Sequence, residues 1–191
     1  MERARITGIL LAAGRGRRFD PLGQRNKLLQ PIDGEAVVVH SARHLLAAVP
    51  RVVAVVRPGE EGVAARLAAL GCEVAVCAEA DCGMAASLVH ALRHAAEAQG
   101  WIVALGDMPH VRPTTIAALV RAVEEGADIA VPVYENERGN PVAFGRRHLP
   151  QLLALSGDRG ARGIVRDNIV NEVAVDDPGI LLDIDTPPDL Q

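Results

Sequence analysis

The chain has 191 residues, a formal net charge of -4, 49% apolar residues and only 2% aromatic ones. That length suits one compact domain that buries a large core without disulfides or a structural metal. The acidic balance excludes a broad basic surface for polyanions, so no nucleic-acid partner is expected. With so few aromatics, Ala, Val, Leu and Ile must make the core, as in sheets covered by Ala-rich helices.

The first apolar run, residues 6–13, is too short to cross a membrane, and its strongest positive charges follow it rather than precede it. A soluble, cytoplasmic chain with no membrane partner is expected. Strand-length apolar runs at 6–12, 51–56, 73–77, 101–106 and 127–133 alternate with helical patterns at about 36–48, 59–70, 84–98 and 113–125. Pro113 suits a first helical turn, and Gly71, Gly100 and Gly126 are expected just past three helix ends. This alternation predicts an α/β fold, a mostly parallel sheet with helices on both faces. No linker or repeat divides it, so residues 1–191 read as a single domain.

After residue 133 the rhythm changes. The stretch "YENERGNPVAFGRR" reads as an irregular hairpin or loop, followed by a short helix, the segment "GDRGARGIV" and strands near 170–175 and 180–184. Such a late departure, here about 134–170, commonly supplies a substrate region outside the carboxyl ends of the strands. At the end, Thr186 and Asp189 have the spacing of a short terminal helix start.

Cys72, Cys77 and Cys82 recur at five-residue intervals, which matches neither a zinc pair nor a disulfide framework, and they read as reduced core or loop residues. The i, i+4 pairs His40/His44 and His90/His94 lack the intervening glutamate of a zincin and read as surface or packing residues. His110 stands apart because it follows an acidic motif.

The loop after the first strand, "LLAAGRGRRFD", combines two glycines with three arginines. A glycine turn after a strand lets backbone N–H groups face an anion. A dinucleotide fingerprint would need glycine where Phe19 stands, and no GxxxxGK[ST] run is present. The remaining reading is a nucleoside triphosphate held by an extended loop, with Arg15, Arg17 or Arg18 and then Lys27 along the phosphates. Lys27 alone would pass for an exposed strand-edge lysine.

Further along, Asp107 in "GDMPHV" ends a buried strand and suits a hard cation, or else an ordinary turn. Asp183 and Asp185 in "LLDIDTPPDL" are two apart on an extended segment, so both point to one face. Gly83 at a loop-to-helix junction and Ser87 in the first turn offer backbone and hydroxyl partners for a base or ribose, or are simply a helix start. The loops holding Asn140, Pro141 and Asp158, Arg159, Gly160, Arg162 read equally well as a cradle for a second phosphate or as solvated turns. No GxSxG elbow or Cys/His pair calls for covalent catalysis.

The stretch "LLAAGRGRRF...NKLLQPIDGEAVVVH" resembles the opening signature of the MobA-like nucleotidyltransferases, and within them the molybdenum cofactor cytidylyltransferases. The resemblance runs through essentially the whole chain, in register with the later motifs. It implies a Rossmann-like three-layer α/β/α nucleotidyltransferase domain that transfers a nucleotidyl group to the terminal phosphate of molybdopterin and releases pyrophosphate. It also implies Mg2+ held by Asp107 with Asp183 and Asp185, and catalytic roles for Arg18, Lys27 and Asp107. The nucleotide would be bound by Leu11, Ala12, Ala13, Gly14, Arg15, Gly16, Lys27, Gly83 and Ser87. The acceptor would meet Asn140, Pro141, Asp158, Arg159, Gly160 and Arg162.

Guanylyl-transferring relatives tend to read L-x-G-G in the first loop and cytidylyl-transferring ones L-A-A-G, so Ala12 and Ala13 imply CTP. A recipient molybdoenzyme or its chaperone is an implied partner. The chain departs from the pattern at Asp20, with several extra residues before Lys27, and an acid pointing inward there would repel phosphate. Other readings are a guanylyl- or other nucleotidyltransferase acting on a different small phosphate, and a non-catalytic carrier of pterin cofactor or nucleotide. A nicotinamide-dependent oxidoreductase is disfavoured by Phe19.

Overall fold

The computed structural model describes residues 6–157 and 160–190. In chain order the principal elements are β1 (Ile6–Leu11), a small hairpin of β2 (Pro31–Ile32) and β3 (Glu35–Ala36), α1 (Val37–Leu46), β4 (Val52–Val56), α2 (Glu61–Ala69), β5 (Glu73–Val76), α3 (Met84–His94) and β6 (Gly100–Leu105). There follow α4 (Pro113–Glu124), β7 (Ile129–Tyr134), β8 (Glu137–Arg138), β9 (Val142–Gly145), α5 (Leu149–Leu153), α6 (Arg162–Asp167) and β10 (Asn171–Ala174). Among the described residues no helix is long and apolar enough to cross a membrane.

The main sheet runs β10-β7-β9-β6-β1-β4-β5, with β8 paired to β7. β1 pairs in parallel with β4 and β6, while β9 is inserted antiparallel between β6 and β7. The expected mostly parallel α/β sheet is therefore present, and the irregular late stretch supplies its two antiparallel strands, β8 and β9.

Strand alternation divides the core in two. Ile6, Leu10, Val52, Ala54, Ile102 and Ala104 pack with α1, α2 and α4 on one face. Ile9, Val53, Val55, Trp101 and Val103 pack with α3, α5 and α6 on the other. Trp101 is fully buried and its indole N–H donates to the Ala95 carbonyl at 3.0 Å, which satisfies its polar edge. At Gly8 an added Cβ would lie 2.9 Å from Leu45, so the missing side chain lets α1 approach β1 closely.

Two expected elements differ. Residues 180–184 make no strand; Pro178–Leu181 is a 3-10 turn, and the stretch makes single backbone bonds to other loops, Ile180 with Asn140 and Ile184 with Asp107, instead of joining a ladder. Gly100 does not terminate α3, which ends at His94, but opens β6, where a Cβ would press on Ile6 and the Phe144 carbonyl. Gly71 and Gly126 do follow α2 and α4 in the left-handed region, and Pro113 opens α4.

Chain order places the site. From β1 the chain proceeds outward through β4 to β5, then returns to lay β6 on the opposite side of β1. The crevice beyond the carboxyl ends of β1 and β6, paired through Leu11 and Leu105, is a topological switch point where α/β sheets bind ligands.

Candidate active site

The glycine loop leaves β1 at this crevice. Its first residue is still held by the sheet, with the Ala12 N–H donating to Val55 at 2.9 Å, and the Gly106 N–H donates to Leu11 at 2.9 Å. A Cβ on Gly106 would lie 3.2 Å from that of Ala12, so a glycine there keeps the loops after β1 and β6 in contact. Gly16 has φ +60°, and its carbonyl accepts from the Phe19 and Asp20 amides at 3.0 Å each. Phe19, the residue at odds with a dinucleotide fingerprint, is buried.

Asp20 settles the question its position raised. Its carboxylate accepts backbone N–H groups of Leu22, Gln24 and Arg25 at 3.0, 2.8 and 2.7 Å. The Arg25 amide first, and then those of Leu22 and Gln24, hold its pKa below the usual carboxylate range. The acid organises the extra loop residues and is spent on them.

A cleft of about 590 Å³ opens here, and it gathers Leu11, Ala12, Ala13, Gly14, Arg15, Gly16, Arg18, Lys27, Gly83, Ser87, Asp107 and Asp185. Lys27 is placed by a short 3-10 turn, Lys27–Leu29, that Asn26 caps by accepting from the Leu28 N–H at 2.9 Å. Gly83, at φ +112°, opens α3 with Ser87 one turn on. That conformation strongly favours glycine.

Asp107 and Asp185 line the cleft, and these two and Asp183 beside them each bring a carboxylate oxygen within 4.8 Å of the others. The Lys27 ammonium, only 11% exposed, donates to Asp107 at 2.7 Å and to Asp185 at 3.2 Å, while the 77% exposed Arg18 reaches Asp185 at 2.6 Å. Three carboxylates thus face two cations. Asp183 is the exposed member of the trio, yet partial burial of its carboxyl, then the Asp185 charge, pushes its pKa up. Three convergent carboxylates form a hard-oxygen donor set fit for a divalent cation.

The structure also adds residues that the sequence did not single out. Asp81, on the turn before Gly83, pairs with Arg15, whose Nε donates at 2.8 Å, and with Arg57 at 2.7 Å. The Arg15 guanidinium holds the Asp81 carboxyl below its usual range. Arg15 therefore staples the glycine loop to the turn before α3 across the cleft. The only sequence signal was an acid two residues before Gly83.

A second cavity of about 490 Å³ shares Leu11, Met84 and Leu105 with the first. Its floor includes Val103, Val131 and Phe144, and Arg138, Asn140, Arg162 and Arg166 also line it. Of the expected acceptor residues, Asn140 and Arg162 are here. Gly160 lies at the junction, where a Cβ would be 3.1 Å from the Met84 sulfur. Pro141 lines instead a small void with Ser41 and His44. Asp158 and Arg159 lie outside the described residues. Cys72 and Cys77 are buried and Cys82 is exposed, all three as free thiols, and burial pushes Cys72 up to about 11. His110 is exposed at the mouth of the β6–α4 loop.

Residues 8–173 match the MobA-like NTP transferase domain. The purine catabolism protein PucB of Bacillus subtilis is 31% identical, with the match covering 95% of this chain and 92% of that one. Nicotine blue oxidoreductase of Paenarthrobacter nicotinovorans is 29% identical over the same shares. Among solved structures, Rv0371c of Mycobacterium tuberculosis H37Rv superposes with a TM-score of 0.84 at 31% identity, covering 97% of this chain and 95% of that one. The same protein's complex with manganese matches at a TM-score of 0.80 and 30% identity. With the glycine loop, Lys27 and the carboxylate trio gathered at the switch point, these likenesses identify the chain as a member of the MobA-like nucleotidyltransferase family.

Proposed function

We propose that the protein transfers CMP from CTP to the terminal phosphate of molybdopterin or its molybdenum-loaded form. The observation that carries this reading is the pair of joined cavities: a cleft floored by the glycine loop and lined by Arg18, Lys27, Asp107 and Asp185 meets an arginine-edged apolar one at Leu11, Met84 and Leu105. A triphosphate fits the first, and a flat pterin body with an anionic end fits the second. In this reading one domain carries both clefts, with residues 134–170 supplying the acceptor side.

Nucleotidyl transfer asks the protein for alignment and charge rather than for a covalent nucleophile. An acceptor phosphate oxygen attacks the α-phosphorus, the bond to the bridging oxygen breaks, and pyrophosphate leaves with that electron pair. The glycine-loop amides and Arg18 hold the triphosphate, while Lys27 moves its charge from the carboxylates onto phosphate oxygens. Asp107, Asp183 and Asp185 would hold Mg2+, which when bound offsets the charge that builds on the phosphate oxygens. Gly83 and Ser87 meet the base and ribose. The methyl group of Ala13, buried at the floor of the cleft, takes space that the first glycine of the guanylyl-transferring pattern leaves open, which favours a pyrimidine.

The test is pyrophosphate release from purified protein with Mg2+ and molybdenum cofactor, comparing CTP, GTP, ATP and UTP. Release with CTP alone is expected. Release with GTP alone would keep the transferase and overturn the reading of Ala12 and Ala13. The oxidoreductase among the relatives sets a further arm: consumption of NADH or NADPH without pyrophosphate release would overturn transfer itself. Binding of cofactor with no turnover on any nucleotide would favour a carrier.

A further inference from the structure

The three carboxylates come from two segments far apart in sequence. Asp107 follows β6, whereas Asp183 and Asp185 lie on a strap, residues 177–186, that forms no strand. Something must fix the strap against the β6–α4 loop to within a few tenths of an ångström, because ligand placement at that scale decides metal affinity.

Asp177 stands at the start of the strap and is 1% exposed. Its carboxylate accepts the Arg112 N–H at 2.8 Å, the Thr115 hydroxyl at 2.6 Å and the Gly179 N–H at 3.0 Å. Arg112 is the N-cap residue of α4 and makes no side-chain cap of its own. Asp177 therefore caps α4 from a distant segment, satisfying an orphan amide and placing negative charge at the positive end of the helix.

The remaining contacts of the strap run in the same direction. A Cβ on Gly179 would collide with the His110 carbonyl, so the strap lies directly on the β6–α4 loop. The Ile184 N–H donates to the Asp107 carbonyl at 2.8 Å, joining the residue between the two late aspartates to the first one. The Asn140 N–H donates to the Ile180 carbonyl at 2.9 Å, which ties the strap to the second cavity as well.

We infer that Asp177 is a positioning residue for the metal cluster: by capping α4 it sets the register of the strap and brings Asp183 and Asp185 to Asp107. It touches neither cavity and acts through the strap. The inference rests on the proposed metal site, and the experiment separates the two. Mn2+ binding is titrated by its electron paramagnetic resonance signal in wild type, Asp107→Asn, Asp177→Ala and Thr115→Val, and the KM for CTP is measured alongside.

Wild type should bind Mn2+ at one site that Asp107→Asn abolishes. Asp177→Ala should weaken that site about tenfold, the scale seen when an outer support of a ligand is removed, and Thr115→Val less. The KM for CTP should hold, because the glycine loop, Gly83 and Ser87 are untouched. A merely structural role would lower Tm without moving the Mn2+ affinity of the folded protein. Wild-type affinity in folded Asp177→Ala, or in Thr115→Val should the alanine variant fail to fold, overturns the positioning role. Absence of any site in wild type overturns the metal reading and this inference with it.

Discussion

The glycine loop and the C-terminal strap both meet the same carboxylates, yet they are held in opposite ways. The loop backbone is bonded from within, Asp20 to amides two, four and five residues ahead and Gly16 to those three and four ahead. Its side-chain ties outward run through the exposed Arg15, to Asp81, and Arg18, to Asp185. The strap is organised from outside, by Asp177 on α4, Gly179 under His110, Ile180 with Asn140 and Ile184 with Asp107. A loop bonded to itself and tied outward through exposed arginines tolerates the movement that a large substrate demands. A strap fixed at four places keeps its carboxylates still.

The largest effect belongs to the point where the two regions meet. Asp107→Asn keeps a similar shape but removes the charge shared by Lys27 and the trio, and transfer should fall by about a thousandfold, with little change in Tm. Wild-type pyrophosphate release in that variant would end its assignment to the site.

Paired glycine substitutions come next and set the two regions against each other. Gly179→Ala forces a methyl group onto the His110 carbonyl, and overpacking of this kind costs roughly 1–3 kcal/mol, or about 2–4 °C of Tm per kcal/mol in a chain of this size. Gly14→Ala meets nothing within 4 Å, so Tm should hold. The KM for nucleotide should rise instead, by about tenfold, because the methyl group holds phosphate off the backbone amides and roughly one hydrogen bond is lost. Equal losses of Tm in the two variants would erase the contrast.

The same contrast explains what could be read in the sequence. Asp107 and Gly83 read equally as a turn and a helix start until the family resemblance singles them out. The glycine loop and the α/β alternation each declare themselves within a short stretch, since their signals are local spacing and turn chemistry. The anchoring of the strap does not. Asp177, in "VDDPGI", carries no local sign of its anchoring role, and its partner Arg112 lies 65 residues away. Residues 180–184 carry a strand-like pattern because they are partly buried, but their backbone bonds go singly to two loops, which no periodicity encodes. Arg15 reads as a phosphate ligand, and nothing in the sequence signals that it also pairs with Asp81, 66 residues off. The match of Asp183 and Asp185 to a metal site came through family resemblance, not from spacing alone.

The smallest effect is confined to the loop and depends on pH. The amides of Arg25, Leu22 and Gln24 bond the Asp20 carboxylate only in the folded loop, so its folded pKa lies below its unfolded one. The stabilisation is therefore present above the ordinary carboxylate range and is lost as pH falls through that range toward the folded pKa. Hydrogen exchange at those three amides, corrected for intrinsic rate, should show protection at about pH 6 that fades near about pH 3. Asp20→Asn keeps one acceptor oxygen where the carboxylate has two, so its protection should be weaker at the higher pH and nearly the same at both. The Ala12 amide, bonded to the backbone carbonyl of Val55 at the sheet, supplies the internal control. If loop protection in wild type is as indifferent to pH as in the asparagine variant, the carboxylate does not organise the loop, and the extra residues before Lys27 are held by the turn at Gly16 alone.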